Sequence, residues 1–247
     1  MDEYRVIDLT HTVKEDMTVY PGTERPVVKT VHTWERDSFH ETEIRMYSHV
    51  GTHMDAAAHV KRDGKSLDEM DMSQFMGTAL VLNCTGEIRK KGRLITMEEI
   101  NKVRALADQA EFLIFYTGWD RYWGTEQYFD GYPVLSEDVV RYLKECGKED
   151  GGHGRAKGTV RKKGIGLDTI GADFIEEESL PLHHSLLSIE DFVIIENLKS
   201  LNEVWEEAES RLFFFVSLPL KYEKADGAPV RACAVVRKQP FCEGGDR

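Results

Sequence analysis

The sequence is poor in cysteine, in long apolar runs and in basic charge, and each shortage excludes a class of protein. Its 247 residues include four cysteines, and no two of them form a C-x-x-C pair. So few cysteines in a chain of this length exclude a disulfide framework, which predicts free thiols in a reducing compartment. The opening residues, from Met1 to Arg5, are charged and lack the apolar segment of a secretion signal. We therefore expect a soluble cytoplasmic protein.

The shortage of apolar runs and of basic charge also narrows the class of partner. The longest strongly apolar runs, such as Leu212 to Leu218, are far shorter than the roughly 20 residues of a membrane-spanning helix. The chain has 32 basic and 44 acidic residues, which gives a net charge of −12. An acidic chain is poorly suited to bind nucleic acid or an anionic membrane non-specifically. A small-molecule substrate remains open, because charge inside a pocket can oppose the net charge.

Two common catalytic signatures are missing as well. The sequence has no G-x-S-x-G nucleophile elbow, which argues against a serine hydrolase. It also has no convincing phosphate-binding glycine pattern after a strand, since Gly164 to Gly166 is too short a match.

Short apolar runs recur along the chain and are rich in β-branched and aromatic residues. Their lengths suit buried strands better than helices. Hydrophobic residues make up 41% of the chain, enough for a packed core. The predicted strands are Val6 to Leu9, Ala79 to Leu82, Phe112 to Tyr116, Phe192 to Ile195, Leu212 to Leu218 and Ala232 to Val236.

Three helices are indicated between these strands. Thr96 and Glu99 fit a capping box ahead of an apolar helical face. A second helix should begin near Ser136, and a shorter third one should cover Leu201 to Ala208. Many strands with few helices predict a mixed α/β domain whose core is a sheet or a barrel. We expect a single domain over residues 1–247, with a glycine-rich, basic loop insertion at about 148–163.

The most informative segment holds four potential metal ligands within eleven residues: His49, His53, Asp55 and His59. Residues four apart share a helix face, but His53 and Asp55 are two apart and do not. One continuous helix therefore cannot aim all four side chains at one point. Gly51 is placed to permit the turn that would bring them together.

Imidazole nitrogens and a carboxylate are the usual ligand set for zinc or manganese. Three protein ligands with an open position would let a bound metal acidify water. A fourth, uncoordinated histidine could move protons near neutral pH. The competing interpretation is that these are hydrogen-bonded polar residues on a surface turn, which explains a single histidine better than it explains four clustered ligand types.

This segment resembles the signature H-x-G-T-H-x-D-x-P-x-H of the cyclase / kynurenine formamidase family of metal-dependent hydrolases. The matching positions are His49, Gly51, Thr52, His53, Asp55 and His59, and Ala57 stands where the family has proline. Further segments that resemble the family are Asp16 to Gly22, Thr117 to Asp120, Tyr132 to Ser136, Gly166 to Asp168, Pro181 to Leu187, Ile194 to Leu198 and Ala228 to Ala232. The resemblance thus spans nearly the whole chain, apart from the insertion.

The resemblance implies a barrel-like core of the swivelling β/β/α type, assembled as a dimer or tetramer. It also implies one or two divalent metals per chain, Zn²⁺ or Mn²⁺. One metal would be held by the first three ligands of the cluster. The other would share Asp55 with a later pair, which we assign to His184 and Glu196, with His183 as the neighbour of the chosen histidine.

The activity implied is hydrolysis of a carbon–nitrogen bond by metal-activated water, with His59 as general acid/base. The leading substrate is an aryl formamide such as N-formylkynurenine, and Tyr20 and Trp119 could stack on its ring. A core position is the alternative for Trp119, while Asp168 and Asp173 are interpreted as structural acids. Two other functions remain open: opening or closing of a cyclic amide or lactone of the isatin kind, and metal binding without catalysis.

Overall fold

The apolar runs of the sequence form most of the strands in the computed structural model, which describes residues 3–86, 94–146, 158–208 and 211–238. In chain order the strands are β1 (Tyr4–Asp8), β2 (Val27–His32), β3 (Glu41–Arg45), β4 (His53–Asp55), β5 (Met76–Asn83), β6 (Leu94–Ile95), β7 (Phe112–Tyr116), β8 (Val134–Leu135), β9 (Gly164–Leu167), β10 (Val193–Glu196), β11 (Phe213–Pro219) and β12 (Gly227–Arg237). Each of the six predicted strands is found, with bounds shifted by a few residues at most, apart from β12, which starts five residues earlier.

Seven of these strands close into a barrel. The order is β12-β11-β5-β7-β9-β10-β4, and β4 pairs with β12 to complete the ring, while β1 lies along the other side of β12. The pairs among β5, β7, β9 and β10 are parallel, and the pairs involving β4, β11 or β12 are antiparallel. The mixed, barrel-like α/β fold expected for the chain is therefore confirmed.

Helices connect and cover the strands. The helices that lie wholly within the described residues are α1 (Trp34–Asp37), α2 (Met97–Lys102), α3 (Arg104–Gln109), α4 (Glu137–Cys146), α5 (Pro181–Leu186) and α6 (Leu201–Ala208). Thr96 caps α2 by accepting a hydrogen bond from the Glu98 amide. The helix expected after Thr96 does not run on unbroken, because Val103 leaves helical geometry at φ −128° and ψ 30°. A β-branched residue has a weaker helix preference, and no glycine or proline marks this break in the sequence.

Both faces of the sheet are buried, which explains why its strands are continuous apolar runs. Along β5, Ala79 and Val81 belong to one core cluster, which includes residues of α6. Leu80 and Leu82 alternate with them and belong to a second cluster, packed with residues of α4 and α5. A strand covered on both faces loses the polar alternation that a half-exposed strand would show.

The basic insertion predicted at 148–163 can be followed only at its end, since residues 147–157 lie outside the described part of the chain. Lys162 departs from the expected solvated loop, because it is fully buried. Its ammonium donates to the carbonyl oxygens of Ala107 and Ala110, at 2.7 and 2.6 Å, at the C-terminal end of α3. Carbonyl dipoles at the C-terminus of a helix favour positive charge, so the buried ammonium is compensated there. No helix in the described residues is long and apolar enough to cross a membrane.

An ion pair at the start of β5 yields a prediction about pH and stability. The Glu111 carboxylate accepts from the Thr78 amide at 2.8 Å and from Lys163 Nζ at 2.7 Å. Burial raises the pKa of Glu111, but Lys163 and Thr78 outweigh it and hold the pKa below 4.5. The stabilisation is therefore complete above the unfolded-state pKa and is lost as pH falls through the lower folded-state pKa.

We expect Glu111→Gln to lower the free energy of unfolding by about 1 kcal/mol at pH 7. Chemical denaturation at pH 7 and pH 3 measures this difference, which should shrink at the lower pH. Glu35→Gln, an exposed change on α1, is the control. A difference that stays constant with pH would assign the effect to packing.

Candidate metal centre

The histidine-aspartate cluster begins with a tight turn and continues as a strand. Gly51 has φ +70°, and a Cβ there would lie 2.9 Å from Cε of Met17, so glycine suits the turn on both counts. The chain then enters β4, whose residues His53 and Asp55 are buried. His59 follows on a short 3₁₀ helix, Ala57–His59. The turn expected at Gly51 is present. The strand that follows it places His53 and Asp55 on the same face, which a helix could not do.

Alternation along β4 explains why two of its side chains meet. Residues two apart on a strand project to the same face. His53 Nε2 lies 3.4 Å from Oδ1 of Asp55. Met54 between them is fully buried in the apolar core. The neighbouring strand β10 places Glu196 opposite His53, and their side chains approach to 3.5 Å between Nε2 and Oε2.

The structure corrects the choice between the two adjacent histidines of α5. His183 is buried, and its Nε2 lies 3.2 Å from Oε1 of Glu196 and 3.5 Å from Oδ2 of Asp55. His184, selected from the sequence, is exposed on the same helix. Neighbouring helical residues point about 100° apart, so only one of the pair can face the cluster. The spacing to Glu196 could not distinguish a one-residue shift on a helix.

Two sets of donors meet at Asp55. One consists of His49, His53 and Asp55, and the other of Asp55, His183 and Glu196; within each set the donor atoms lie within 4.8 Å of one another. Asp55 is only 1% exposed, and its Oδ2 atom makes no hydrogen bond among the described residues. A buried carboxylate oxygen without a donor is costly unless a cation satisfies it. This donor set therefore fits one or two divalent metals.

Neighbouring groups hold the imidazoles in the orientation that metal binding needs. Nδ1 of His53 lies 2.8 Å from the Gly51 carbonyl, and Nδ1 of His183 lies 2.6 Å from Oδ2 of Asp173. Nδ1 therefore carries the proton in both rings, and Nε2 is left facing the cluster. Asp173 also accepts from the backbone amides of Leu182 and His183, which anchors the start of α5.

His49 is held by two carboxylates. Its Nδ1 lies 2.6 Å from Oδ1 of Asp55, and its Nε2 lies 2.9 Å from Oδ2 of Asp226. Gly227 lets the ring approach the backbone, since a Cβ there would lie 2.4 Å from Cε1 of His49. Residue 227 must therefore be glycine for His49 to occupy this position.

The carboxylates make the cluster attractive to positive charge. Burial lowers the pKa of His49, but Asp55 and Asp226 outweigh it and raise the pKa to about 10. Burial likewise opposes the charged form of His183, while Asp173, Asp55 and Glu196 raise its pKa well above 6.5. Burial would raise the pKa of Asp55, yet the surrounding histidines hold it well below 3.8. The same surplus of negative charge that retains protons on imidazoles would favour a bound cation.

His59 lies next to both donor sets without belonging to either. Its ring centroid is 3.9 Å from that of His49 and 5.9 Å from that of His183. Nδ1 of His59 lies 3.9 Å from Oδ2 of Asp226, and burial lowers the pKa of the ring. His59, His49 and Asp226 form a third possible donor group, which is more exposed than the two around Asp55.

The cluster forms the floor of a cavity of about 590 Å³. Its lining includes Tyr20, Tyr47, Ile170, Glu178 and Leu180, together with the four histidines at positions 49, 53, 59 and 183. Tyr20, predicted to contact substrate, is thus at the cavity. A few aromatic and apolar side chains above a polar floor are typical of a small-molecule site.

Trp119 does not line this cavity and is not in a position to stack on a ligand there. It is buried in an aromatic cluster with Tyr128 and Tyr132, and its indole nitrogen donates to the Tyr128 carbonyl at 3.1 Å. The preceding turn is held by Asp168, which accepts from the amides of Thr117 and Gly118. Trp119 is therefore a core residue, which is the alternative interpretation of its place in the sequence. Asp168 has the structural role expected for it, and burial raises its pKa to about 7.

Comparison with known proteins finds relatives over most of the chain. The model of the Cyclase family matches residues 7–173, more than half of the chain. The chain belongs to the Cyclase family. An uncharacterized protein of Methanocaldococcus jannaschii is 28% identical over 94% of this chain and 99% of its own length. The kynurenine formamidase of Salinibacter ruber is 27% identical over 95% of this chain and 98% of its own length.

The Cyclase-family fold is also found in a solved structure. Isatin hydrolase A from Ralstonia solanacearum superposes with a TM-score of 0.78 at 22% identity, covering 96% of this chain and 93% of the other. At this identity the likeness concerns the fold.

Within this Cyclase-family chain, Ala57 stands where the signature that this segment resembles has proline. Ala57 is the first residue of the 3₁₀ helix that carries His59. Proline is common at the first position of a helix because no helical hydrogen bond uses its amide. Alanine at this position removes a preset φ angle but no ligand and no helical hydrogen bond.

Two residues of the site are not predicted by the sequence. Asp173 orients His183, although the sequence indicates only a structural acid, and Asp226, which contacts His49, belongs to no recognisable motif. The one available signal for Asp226 was its place just before the family-like segment Ala228 to Ala232. Acidic residues are common in this chain, so composition could not distinguish either of them.

Proposed function

We propose that this protein is a metal-dependent amide hydrolase that cleaves the carbon–nitrogen bond of an aryl formamide. The observation that carries the proposal is Asp55, a buried carboxylate shared by two donor sets, with one oxygen that lacks a hydrogen-bond donor. Side chains that satisfy one another would explain a buried polar cluster without a ligand, but they leave this oxygen unexplained.

His49, His53 and Asp55 would hold one metal, and Asp55, His183 and Glu196 would hold a second. A divalent metal at these side chains would lower the pKa of a water molecule and polarise the amide carbonyl oxygen. The hydrogen bonds of His53 to Gly51 and of His183 to Asp173 set the ring orientations before a metal arrives.

His59 is the residue to which we assign proton transfer. It lines the cavity beside His49, and its Nδ1 faces the Asp226 carboxylate at 3.9 Å. Nε2 is then the nitrogen that would donate a proton to the departing amine nitrogen. General acid catalysis is needed here because an unprotonated amine anion is a poor leaving group.

The cavity supports an aromatic substrate. Tyr20 and Tyr47 line it, and Ile170 and Leu180 add apolar surface. Flat aromatic side chains bind aryl rings by stacking or edge contacts. The kynurenine formamidase among the relatives points to an ortho-acyl formanilide of the N-formylkynurenine type. Binding without catalysis is disfavoured because His59 and both donor sets are present together.

The metal is proposed to be Zn²⁺ or Mn²⁺, since imidazole and carboxylate ligands suit both. We also propose a homo-oligomer, because residues 34–47, which include α1 and β3, expose four large apolar side chains that an interface between subunits would bury. These are Trp34, Phe39, Ile44 and Tyr47. Sedimentation at micromolar concentration tests this assembly, and a monomer there would contradict it. A cytoplasmic location stays a prediction from the cysteine content.

The function is tested by hydrolysis of N-formylkynurenine and of the neutral 2-formamidoacetophenone, with metal content measured on the same sample. We expect metal-dependent turnover in the wild type. His59→Ala should lower kcat by about 10²- to 10⁴-fold and keep the metal, because His59 moves protons and is not a ligand.

His40→Ala, which removes an exposed histidine outside the cavity, is the matched control and should leave turnover unchanged. Bound metal with turnover of isatin but of no formamide would replace the proposal by ring opening of a cyclic amide. Failure to bind zinc or manganese after both are added back would refute metal dependence.

A further inference from the structure

The charges that line the catalytic cavity are of one sign, apart from the histidines. Four carboxylates contribute to the lining, namely Asp55, Asp173, Glu178 and Glu196, and no lysine or arginine does so among the described residues. A carboxylate-bearing substrate normally meets arginine or lysine at its site. The cavity therefore has the same sign of charge as the chain as a whole.

Three of the four carboxylates already have a role. Asp55 and Glu196 belong to the donor sets, and Asp173 holds His183. Glu178 differs from them, since it is exposed at the outer part of the cavity. It has no ion-pair partner in the part of the chain that the structure describes. Its charge is thus left to act on whatever part of a substrate points away from the metal ligands.

The negative field also reaches the aromatic wall. Burial raises the pKa of the Tyr20 hydroxyl, and Glu196, Asp173 and Glu176 raise it further, while His183 acts in the opposite direction. Cations at the donor sets would offset Asp55 and Glu196, and Asp173 is paired with His183, so Glu178 is the lining acid whose charge they would leave. An anionic substituent near Glu178 would therefore meet repulsion.

Two arginines lie in a depression next to Tyr47 and do not line the catalytic cavity. Arg25 and Arg45 line a separate depression, which shares only Tyr47 with the catalytic cavity. Arg45 is paired with Glu24 at 3.4 Å.

We propose that the cavity selects aryl amides whose side chain is cationic or neutral over those with a carboxylate, and that Glu178 recognises the cation. The proposal rests on the amide hydrolase function proposed above and names its substrate class. It implies that N-formylkynurenine, a zwitterion, is a poorer substrate than its decarboxylated analogue.

The test uses four matched ortho-acyl formanilides with the metal-loaded protein. They are N-formylkynurenine, N-formylkynuramine with the ammonium alone, 4-(2-formamidophenyl)-4-oxobutanoate with the carboxylate alone, and neutral 2-formamidoacetophenone. We expect kcat/KM to be about tenfold higher for the ammonium compound than for the carboxylate compound at low salt, since steering and contact both favour the cation. Salt should reduce the ratio.

Glu178→Gln should lower kcat/KM for the ammonium compound by about threefold and raise it for the carboxylate compound by a similar factor. Turnover of the neutral compound measures any general loss caused by the substitution, and the values for the two charged compounds are divided by it. Glu178→Lys should reverse the preference. Glu177→Gln is the matched control. It removes the same charge from the neighbouring residue, whose side chain does not line the cavity, and it should have little effect.

Equal or better hydrolysis of the carboxylate compound would overturn the proposal, as would a Glu178→Gln profile that matches Glu177→Gln. If no formanilide is hydrolysed, the amide hydrolase function itself fails. The dissociation constants of the corresponding amines, kynuramine and 4-(2-aminophenyl)-4-oxobutanoate, then separate the two failures. Tighter binding of kynuramine that depends on Glu178 would retain the charge selectivity, and the opposite order would refute it.

Discussion

Asp55→Asn is expected to remove nearly all bound metal and to lower kcat/KM by at least about 10³-fold, which corresponds to roughly 4 kcal/mol of lost transition-state stabilisation. Asp55 is shared by both donor sets, so its loss affects every metal the site would hold. The amide of asparagine has nearly the same size but no charge, and it presents an N–H₂ group in place of one oxygen. The effect is therefore electrostatic and does not require a change in packing.

Metal analysis by mass spectrometry and steady-state hydrolysis of a neutral formanilide measure the two effects on one sample. Asp63→Asn makes the same chemical change at an exposed position and should leave both quantities at the wild-type level. Circular dichroism would show whether the barrel is intact, since β4 lies between β10 and β12. A folded Asp55→Asn protein that keeps its full metal content would contradict the shared-ligand role.

His183→Gln is expected to remove one equivalent of metal and to lower kcat/KM by at least about 10²-fold, whereas His184→Gln should change neither by more than about twofold. His183 faces Glu196 and Asp55 with its Nε2 atom, while His184 is exposed on the next position of α5. The two substitutions are chemically identical and adjacent, so each controls for the other.

Glutamine keeps much of the histidine volume and therefore limits the cavity that a smaller residue would leave beside Asp173. The decisive measurement is the metal-to-protein ratio after dialysis, with turnover read in parallel. Loss of metal from His184→Gln and its retention by His183→Gln would reverse the assignment of the ligand. Equal retention by both would restrict the site to the metal held by His49, His53 and Asp55.

Much of the fold could be predicted because a strand that is buried on both faces appears in the sequence as a continuous apolar run. The continuous apolar runs at β5, β7 and β11 exist because each strand is covered on both faces, and the pattern is visible without knowledge of strand order. The interruption of the α2–α3 segment at Val103 could not be predicted, since no residue with a strong local preference marks it. Closure of the ring through the three-residue strand β4 depends on pairings far apart in sequence.

The four residues His49, His53, Asp55 and His59 could be recognised as a candidate site because they lie within eleven positions and are all ligand or proton-transfer types. The rest of the site comes from distant segments. His183 rather than His184 faces Asp55 because of the rotation of α5, which a one-dimensional spacing cannot specify. Glu196 reaches the site through its register opposite His53 on β4.

The sequence by itself therefore determined the strand-rich α/β class, the family and the local ligand cluster, because these depend on patterns within short segments. Only the tertiary structure decided which histidine of α5 faces Asp55, that Trp119 is buried away from the cavity, and that Asp173 and Asp226 orient the histidines. It also decided that Glu178, an acid without an ion-pair partner among the described residues, lines the outer cavity. These properties depend on which side chains, distant in sequence, lie within a few ångströms of one another. Helix rotation and strand register determine those contacts.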